Sequence, residues 1–334
     1  MRKPRIIVTA GDPAGIGPEI IAKAMTHKEV TDCADVTVVA SRSIMEQAVR
    51  ITGADLRIRP VTTPSEAEAG ALNLIDLANF DPTRFQFGEI SARGGRAAYE
   101  FIEKAVELAM NGAADAIVTA PINKESLQEA RISYIGHTEI IGAMTSTSDP
   151  LTMFETGRLR IFFLTRHISL RDMLEQISEE RIVNYIRRCT AALHQIGLGR
   201  GTMAVAGLNP HCGEHGLFGT EEMAVITPAV RRCRKEGYNV VGPIAADSVF
   251  HLAAEGKYTS VLSMYHDQGH IAAKTLDFDR TISLTLGLPF LRTSVDHGTA
   301  FDIAGTGKAR EISMVEAICK AAHYAPVFRK PVEE

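Results

Sequence analysis

The amino-acid sequence predicts an α/β protein with a largely parallel sheet and a chain folded into two lobes. Short runs of β-branched and apolar residues alternate with longer stretches of helical periodicity, which is the pattern of successive β-α-β units. The chain has 334 residues, enough for two domains or one large two-lobed domain. Hydrophobic residues make up 45% and charged residues 23%, a balance typical of globular proteins.

The predicted strands are short apolar runs, each followed by a turn or a helical pattern. They are Arg5–Ala10, Asp35–Ala40, Ala116–Thr119, Arg160–Thr165, Thr202–Ala206, Ser260–Met264 and Ser283–Leu286. Apolar residues recur at helical spacing over Gly94–Asn111, with Gly112 as a stop, and over Leu170–Ile196. No serine- or glycine-rich linker divides the chain, so we expect the chain to cross between lobes more than once.

Composition argues against several classes of protein. The formal net charge is -4, so a polybasic surface for nucleic acid or anionic lipid is not expected. Five scattered cysteines without a Cys-x-x-Cys pair indicate reduced thiols and a cytoplasmic location. The basic start of the chain is followed by too short an apolar run for a signal peptide. No stretch approaches the roughly 20 apolar residues of a membrane span.

Three histidines, His167, His211 and His266, follow the ends of short apolar runs. In an open α/β sheet, the carboxyl ends of parallel strands line the ligand crevice. Imidazoles delivered there by three strands could converge on one divalent metal and leave coordination positions open for a substrate. Cys212 could be a soft ligand, but we interpret it as a bystander thiol. The pattern predicts an enzyme whose chemistry is centred on a metal.

A glycine-rich segment, Gly-Asp-Pro-Ala-Gly-Ile-Gly-Pro-Glu at positions 11–19, lies between a predicted strand and a predicted helix. Pro18 suits the first helical turn, and Glu19 suits the positive end of the helix dipole. The glycines allow close approach of a ligand to the backbone. The spacing matches neither the dinucleotide-binding fingerprint nor a P-loop, and a tight strand–helix turn is an equally good interpretation.

Candidate anion-binding residues occur at three places. Gly-His-Thr-Glu at 136–139 starts a helical pattern, where Thr138 and free amides could hold an anion, although Thr138 could equally be an ordinary N-cap. Lys274 and Arg292 are candidate clamps for a phosphate or carboxylate. Taken alone, each of these two could be an ordinary charged surface residue.

The third histidine lies in the segment Tyr-His-Asp-Gln-Gly-His at 265–270. His266 and His270 are four residues apart, which on a helix would put both on one face. Gly269 weakens such a helix, so we interpret His266 as the ligand and His270 as a residue of the site wall. Asp267 could orient an imidazole from behind.

The segment 294–309 is dense in glycine and small polar residues and leads into a last helix near Met314. Such a loop can wrap a nucleotide with backbone amides and place a carboxylate on a ribose hydroxyl. The alternative is a purely structural connection, which would be unusual at this length inside a compact lobe.

Six short motifs occur in order along nearly the whole chain. They are Gly-Asp-Pro-Ala-Gly-Ile-Gly-Pro-Glu (11–19), Ala-Pro-Ile-Asn-Lys (120–124), Gly-His-Thr-Glu (136–139), Asn-Pro-His (209–211), Tyr-His-Asp-Gln-Gly (265–269) and Asp-His-Gly-Thr-Ala (296–300). Together they resemble the 4-hydroxythreonine-4-phosphate dehydrogenase (PdxA) family. The set is highly specific, although no single motif is. Two of the motifs also resemble the wider isocitrate/isopropylmalate dehydrogenase superfamily.

The resemblance implies a two-lobed α/β/α subunit of the isocitrate/isopropylmalate dehydrogenase type, with a largely parallel sheet and some antiparallel strands. Residues 1–122 and 295–330 would form a cofactor-side lobe, and 123–294 the lobe for metal, substrate and dimerisation. The resemblance also implies a homodimer with active sites at the interface and metal ligands drawn from both subunits.

The resemblance further implies roles for individual residues. A divalent metal (Zn, Mg, Co or Mn) would bind His167, His211 and His266. The substrate would contact His137, Thr138, Lys274, Ser283 and Arg292. NAD or NADP would bind near Gly11, Asp12, Gly15, Gly17, Asp296, His297, Gly298, Thr299 and Ala300. The catalytic candidates are Asp247, Asp267 and Lys274.

The implied reaction is oxidation of a secondary alcohol on a 4-phosphorylated 3-hydroxy acid, with loss of CO₂ from the resulting β-keto acid. The first candidate substrate is 4-phosphohydroxy-L-threonine, as in pyridoxal phosphate biosynthesis. Ser283 replaces the usual asparagine, and His270 and segment 214–219 resemble a branch that acts on D-threonate or D-erythronate 4-phosphate. Other relatives oxidise cis-dihydrodiol dicarboxylates.

Two other classes of function compete with a dehydrogenase. A phosphate acyltransferase on the same fold would need no three-histidine metal site. A non-catalytic phosphometabolite binder would keep Lys274 and Arg292 but show no turnover.

Overall fold

The computed structural model describes residues 2–81, 83 and 85–328. It confirms the predicted α/β class, with helices flanking largely parallel strands. The chain divides into two compact units. The first comprises Met1–Pro150 and Gly287–Glu334, and the second comprises Leu151–Leu286.

The first unit is built on parallel strands. Its strands are β1 (Arg5–Thr9), β2 (Asp35–Ala40), β3 (Arg57–Pro60), β4 (Ala71–Asp76), β5 (Ala116–Thr119) and β12 (Leu291–Val295). They pair in the order β3-β4-β2-β1-β5-β12, and each of these pairs is parallel. Its helices are α1 (Gly17–Ala24), α2 (Lys28–Cys33), α3 (Arg42–Thr52), α4 (Ala92–Met110), α5 (Lys124–Glu129), α6 (His137–Met144) and α12 (Ile312–Tyr324).

The second unit has a mixed sheet. Its strands are β6 (Leu151–Thr156), β7 (Leu159–Phe163), β8 (Met203–Ala206), β9 (Val240–Ile244), β10 (Ser260–Ser263) and β11 (Ile282–Leu286). They pair in the order β11-β6-β7-β10-β8-β9, with β6 antiparallel to β11 and β7 and the remaining pairs parallel. Its helices are α7 (Leu170–Glu175), α8 (Glu179–Gln195), α9 (Thr227–Lys235), α10 (Ala246–Ala254) and α11 (His266–Leu276).

The seven predicted strands are all present, with ends that differ by at most two residues. The predicted helix Gly94–Asn111 corresponds to α4, and Gly112 has a φ of 71°, a left-handed conformation that suits glycine and ends the helix. The single helix predicted over Leu170–Ile196 is wrong. Two helices occur there, because the side chain of Ser178 accepts a hydrogen bond from the Arg181 amide and caps a new helix.

Five strands escaped prediction, and the reasons are local. β3 is Arg-Ile-Arg-Pro, an edge strand with charged residues, and β9 contains Gly242 and Pro243, which are poor strand formers. In β4 the apolar sequence pattern is interrupted by the buried Asn73. The side-chain amide of Asn73 donates to the Val36 carbonyl at 3.1 Å. A buried polar residue breaks the apolar pattern although its hydrogen bonds are satisfied.

The division between units differs from the predicted lobe boundaries at 122 and 295. It falls at Pro150 and Gly287, so α5 and α6 belong to the first unit. The packing of α5 on α4 accounts for this. A β-carbon on Gly95 of α4 would lie 2.0 Å from the Ser126 carbonyl oxygen, so only glycine permits the two helices to approach so closely.

Among the described residues, no helix is both long and apolar enough to cross a membrane.

Candidate functional site

Four neighbouring strands of the second unit deliver polar side chains to the same end of the sheet. β7, β10, β8 and β9 are adjacent and parallel in that order. The residues that follow them are, in the same order, His167, His266, His211 and Asp247. Since parallel strands end on one side of a sheet, their carboxyl ends form a single edge. The strand-end placement predicted for the three histidines is present in the structure.

His266 begins helix α11, and its Nδ1 lies 2.7 Å from the Asp267 carboxylate. A carboxylate on one ring nitrogen fixes the tautomer and leaves Nε2 free to bind a metal. The ring of His167 lies 5.7 Å from the ring of His266, centroid to centroid. The Thr165 hydroxyl donates to the Met264 carbonyl at 2.8 Å and joins the two strand ends that carry these histidines.

His270 stacks on His266 with ring centroids 3.6 Å apart. Its other neighbours are the rings of Phe154 and Phe163, at 4.2 and 4.8 Å. Burial, followed by the positive charges of His266 and Lys274, lowers the pKa of His270 to about 3. His270 is therefore a neutral wall behind His266, in keeping with the role we expected for it.

The expectation that Gly269 weakens this helix is wrong. α11 runs without interruption from His266 to Leu276. A β-carbon on Gly269 would lie 2.6 Å from the ring of Phe163 and 2.8 Å from the side chain of Ile161. Gly269 therefore lets α11 pack closely on β7, and the helix holds His266 and His270 on one face.

His211 lies in an unusual backbone turn. Residues 211–216 all have positive φ, and four of them are not glycine: His211 at 50°, Cys212 at 55°, Glu214 at 41° and His215 at 57°. The left-handed conformation costs an L-residue roughly 1–2 kcal/mol. Strain of this kind persists where surrounding contacts enforce it, and it is enriched at functional sites.

The His211 side chain is 65% exposed, and its Nδ1 lies 4.0 Å from the Asp247 carboxylate on α10. Cys212 is half-buried, and burial together with the negative charges of Glu222 and Asp247 raises its thiol pKa. A thiol that stays protonated is a poor metal ligand. This favours the interpretation of Cys212 as a bystander.

Gln268 links the strand end that leads to His211 with the one that leads to His266. Its side-chain amide donates to the Gly207 carbonyl at 2.8 Å, and its side-chain oxygen accepts from the Met264 amide at 2.8 Å. Gly207 directly follows β8 and Met264 directly follows β10, so one side chain fixes the spacing of two histidine-bearing segments.

Within the described part of this chain, no group of three or more His, Cys, Asp or Glu side chains is gathered closely enough to hold a metal ion. The donor types nevertheless suit one, because the Nδ1 of His266 is bonded to the Asp267 carboxylate and leaves Nε2 to bind a metal, and the Asp247 carboxylate lies 4.0 Å from the Nδ1 of His211. Three histidines with open positions are the ligand set of catalytic zinc and related ions.

A cleft of about 350 Å³ adjoins His167 and His266 in the second unit. Its wall combines these imidazoles with the apolar side chains of Ile168, Leu170 and Met173. The volume matches that of a small-molecule site.

Two further predicted substrate contacts belong to the second unit. Lys274 follows His266 by two helical turns, and its ammonium lies 5.2 Å from the centre of the Phe278 ring. Ser283 is half-buried on β11, directly opposite Phe154 on β6. Directly opposite residues of an antiparallel pair point to the same face. Ser283 therefore lies on the face where Phe154 packs against His270.

In the first unit, Arg292 of β12 is only 4% exposed, which excludes the interpretation of an ordinary surface residue. Its guanidinium donates to the Thr119 hydroxyl at 2.7 Å. Burial lowers the pKa of Arg292 to about 10, which still leaves it charged at neutral pH.

His137 begins α6, and burial followed by the charge of Arg292 lowers its pKa well below the usual value. Its buried Nε2 has no hydrogen-bond partner among the described residues. A neutral imidazole with an unsatisfied nitrogen beside a guanidinium is suited to an anionic, hydroxylated ligand. Thr138 is not an N-cap, because Gly136 occupies that position.

The glycine-rich segment 11–19 is buried throughout. A β-carbon on Gly11 would lie 2.2 Å from the Pro121 carbonyl oxygen, and one on Gly15 would lie 2.9 Å from the Thr299 side chain. Close contact with neighbouring protein atoms therefore explains the glycines at 11, 15 and 17. This favours the interpretation of the segment as a tight strand–helix turn. Asp12 is fully buried, and burial raises its pKa.

The loop after β12 is held by α1. The Glu19 carboxylate accepts from the amides of Gly305 and Gly307 at 2.5 and 2.8 Å. The Lys23 ammonium donates to the carbonyls of Gly307 and Ala309 at 2.7 and 2.6 Å. Glu19 therefore fixes a distant loop, a role that its place at a helix start did not predict. Asp296, His297 and Ala300 are half-buried, Gly298 is exposed and Thr299 is buried in this loop.

A family model described as pyridoxal phosphate biosynthetic protein PdxA matches residues 32–321. The chain belongs to the PdxA family. The resemblance read from the six motifs is confirmed, and so is the prediction of an enzyme related to dehydrogenases.

Relatives of this PdxA-family chain carry two kinds of name. Proteins from Fusobacterium nucleatum and Symbiobacterium thermophilum carry the provisional name D-threonate 4-phosphate dehydrogenase. The first is 55% identical over 327 residues, 97% of this chain and 98% of the relative, and the second 56% over 330 residues, 98% of each. A 4-hydroxythreonine-4-phosphate dehydrogenase from Klebsiella pneumoniae is 43% identical with a TM-score of 0.88, covering 97% of this chain and 98% of its own.

A terephthalate 1,2-cis-dihydrodiol dehydrogenase from Burkholderia xenovorans is a more distant structural neighbour. It is 27% identical with a TM-score of 0.65, covering 96% of this chain and 98% of its own. Its name shows that related chains accept different substrates on one fold.

The contacts of three residues escaped sequence reasoning: those of Glu19 in the first unit and of Gln268 and Glu222 in the second. Each contacts backbone of a segment remote along the chain. Glu19 and Gln268 lie inside recognised motifs, whereas Glu222 lies outside them. Contacts of this kind leave no local periodicity, so no pattern in the sequence alone marks them.

Proposed function

We propose that this protein is an NAD(P)- and divalent-metal-dependent dehydrogenase of a 4-phosphorylated 3-hydroxy acid, with D-threonate 4-phosphate preferred to 4-phosphohydroxy-L-threonine. One observation carries the proposal: three adjacent parallel strands deliver His167, His266 and His211 to one edge of the sheet. No comparable arrangement is needed by a phosphate acyltransferase or by a simple binder of phosphorylated metabolites.

The metal-binding residues are His167, His211 and His266. A divalent metal bound there would lower the pKa of the substrate hydroxyl and stabilise negative charge on its oxygen. Asp267 holds the ring of His266 so that its second nitrogen is offered to the metal, and Asp247 lies close enough to His211 to support that ring when a metal is bound. The exposed carboxylates of Asp247 and Asp267 are also placed to take up the hydroxyl proton.

The nicotinamide cofactor would lie along the loop of Asp296–Ala300, with Gly298 the most exposed residue of that segment. It would accept the hydride from the secondary alcohol. Glu19 and Lys23 hold the following residues of the loop in place through four hydrogen bonds. Four buried residues would support this loop without contacting the cofactor: Gly11, Asp12, Gly15 and Gly17.

Cationic and polar side chains would bind the anionic ends of the substrate. Arg292, backed by Thr119 and beside the neutral His137, suits a carboxylate or phosphate, and Thr138 in the first turn of α6 adds a hydroxyl. Lys274 offers a second cation, and its ammonium lies over the aromatic ring of Phe278.

Ser283 bears on the choice between the two acids. D-threonate has a hydroxyl at C2 where the threonine substrate has an ammonium group. A serine hydroxyl can donate to or accept from such a hydroxyl, and it is shorter than an asparagine amide. The relatives named for D-threonate 4-phosphate are 55% and 56% identical, against 43% for the Klebsiella enzyme named for the threonine substrate.

We further propose a homodimer in which each metal site takes ligands from both subunits. Equal mixtures of His211→Ala and His266→Ala protein, refolded or exchanged together, test this. If the two histidines of one site come from different subunits, mixed dimers keep one intact site and recover activity. If activity stays at the level of the separate variants, both ligands come from one subunit and the shared-site proposal fails.

The substrate proposal is tested by following reduced nicotinamide with D-threonate 4-phosphate, 4-phosphohydroxy-L-threonine and their dephosphorylated forms. We expect kcat/KM to be highest for D-threonate 4-phosphate and Ser283→Asn to move the ratio toward the amino acid. Lys274→Ala should weaken binding of the phosphorylated acids by roughly 1.5–3 kcal/mol and spare the dephosphorylated ones. Absence of nicotinamide reduction with every acid and added metal would refute a dehydrogenase.

A further inference from the structure

A buried carboxylate lies directly beneath the left-handed turn that carries His211. Glu222 is 2% exposed, and its Oε1 accepts hydrogen bonds from the backbone amides of Leu208 at 2.7 Å and Asn209 at 2.6 Å. Its Oε2 accepts from the side-chain amide of Asn209 at 2.9 Å. All three donors belong to the two residues that lead from β8 into the turn.

The turn is also packed against this carboxylate. A β-carbon on Gly213, in the middle of the turn, would lie 3.0 Å from Glu222 Oε2. A β-carbon on Gly207, just before the turn, would lie 3.4 Å from Oε1 and 2.7 Å from the sulfur of Cys212. The backbone before and within the turn therefore closes around one side chain, with little room for another arrangement.

Glu222 is itself held by an irregular element. It begins a π-helical turn, Glu222–Ile226, which precedes α9. Such insertions re-aim a side chain relative to a regular α-helix and are frequent at functional sites. Here the effect is to direct the carboxylate at the end of β8. Hydrogen bonds from backbone amides to an ionised carboxylate are stronger than neutral ones, which suits a group that must enforce a strained backbone.

We infer that Glu222 is a positioning residue for His211. Its carboxylate fixes Leu208 and Asn209 and so holds the left-handed turn in the one conformation that presents the His211 imidazole beside Asp247. The inference rests on the proposed role of His211 as a metal ligand. Because Glu222 is 2% exposed and its carboxylate is bonded to Leu208 and Asn209, it acts through the turn and not as a ligand.

The test compares Glu222→Gln with Glu221→Gln. Both changes remove one negative charge from adjacent positions, but Glu221 bonds the Asn209 side chain, at 2.7 Å, and the backbone amides of Thr220 and Glu221, whereas Glu222 bonds the backbone amides of Leu208 and Asn209. In Glu222→Gln, the new amide group faces the Asn209 amide, donor against donor. We expect Co²⁺ affinity at least about 10-fold weaker in Glu222→Gln, with an altered Co²⁺ absorption spectrum, and within about twofold of wild type in Glu221→Gln.

Amide hydrogen exchange on the metal-free protein gives a second measurement that needs no activity. Glu222→Gln should exchange faster over residues 207–216, and the remaining segments should be unchanged. The double variant Glu222→Gln/His211→Ala should bind Co²⁺ no more weakly than His211→Ala alone, since Glu222 acts through that imidazole. If Glu222→Gln does not fold, Glu222→Asp takes its place. Its shorter side chain keeps the charge but cannot reach all three donors, and the same losses are expected.

Two results would overturn the inference. One is a Glu222→Gln protein with a lower melting temperature but with unchanged Co²⁺ affinity and spectrum, which would mean a merely structural carboxylate. The other is equal exchange over 207–216 in both variants. If wild-type protein itself binds no Co²⁺, the proposed metal function fails, whereas the exchange comparison still decides whether Glu222 holds the turn.

Discussion

His266 and His211 follow neighbouring parallel strands of the second unit, yet the backbones that carry them differ. His266 opens a right-handed helix of 11 residues, and its carboxylate partner is the next residue in the chain. His211 opens a left-handed turn, and its partner Asp247 comes from a different helix, at 4.0 Å. A single sequence signal, a histidine soon after a strand, is thus realised by a relaxed backbone in one place and a strained one in the other.

The difference in conformational cost is large on the scale of protein stability. Four non-glycine residues at roughly 1–2 kcal/mol each sum to about 4–8 kcal/mol, against a typical total of about 5–15 kcal/mol. The turn at His211 therefore depends on contacts from outside, among them the hydrogen bonds of Glu222 to Leu208 and Asn209 just before it. Helix α11 needs only its own hydrogen bonds and its packing on β7. We expect substitutions around His211 to disturb geometry, and those around His266 to act mainly through the ligand itself.

The largest expected effect is loss of the metal. His211→Ala and His266→Ala should each reduce metal affinity by more than about 100-fold and remove nearly all turnover, because loss of a ligand exceeds the 10–100-fold effect of losing its supporting partner. Metal content after dialysis and steady-state kinetics measure both. Unchanged metal content in either variant, or full wild-type activity in the presence of a chelator, would contradict the metal site.

Substitution of the two carboxylate partners should weaken metal binding to different extents, whereas loss of either histidine should have a similar effect. Asp267→Asn breaks a 2.7 Å contact to His266 and should weaken metal binding by about 10-fold or more. Asp247→Asn alters a contact of 4.0 Å between exposed groups and should cost less. Titration of both variants with Co²⁺ gives the ratio. A larger loss of affinity in Asp247→Asn would show that metal binding draws Asp247 onto His211. The contrast between the two histidines would then need revision.

The sequence predicted which strands end in histidine, but not how the chain travels from the strand to the histidine. For His266 the four-residue spacing to His270 indicates a common helix face, although Gly269 is expected to weaken that helix. For His211 the backbone could not be predicted, because non-glycine residues with positive φ are uncommon and occur singly, and nothing in the sequence marks a run of them. The left-handed turn is enforced by Glu222, whose contacts with Leu208 and Asn209 are tertiary. Local propensity carries no record of such contacts.

The glycines of the sequence were recognised, but the reason for their presence was misjudged. The sequence predicts that Gly269 weakens the helix, whereas α11 uses this glycine for close packing on Phe163 and Ile161. In segment 11–19, ligand approach and close packing leave the same sequence pattern, and the structure places backbone of Pro121 against Gly11. A glycine in the sequence marks a place without room for a β-carbon, and only the structure shows what fills that room.

Acid should act on the His266 region through His270. Its pKa of about 3, against 6.5 for an ordinary imidazole, means that the folded state resists protonation between these values. The unfolded chain then binds more protons, so stability falls as the pH drops from about 6.5 toward about 3. His270→Leu should show a shallower decrease in the free energy of unfolding over that range, measured by denaturant titration. Parallel curves for wild type and variant would contradict a neutral, buried imidazole behind His266.

The smallest effect isolates backbone conformation from chemistry. His215 and His251 are both exposed, but His215 lies in the left-handed turn with a φ of 57°, and His251 lies in the right-handed helix α10. His215→Gly should raise the free energy of unfolding by roughly 0.5 kcal/mol, because relief of the left-handed strain exceeds the added freedom of the unfolded chain. His251→Gly should lower it by a similar amount, since glycine is the poorer helix former. Chemical denaturation of the two metal-free variants measures both changes.

Because the same atoms are removed in each variant, opposite signs of the stability change can come only from the handedness of the backbone. If both variants lose stability equally, the turn at His211 is not strained in solution, and Glu222 would have no strain to oppose.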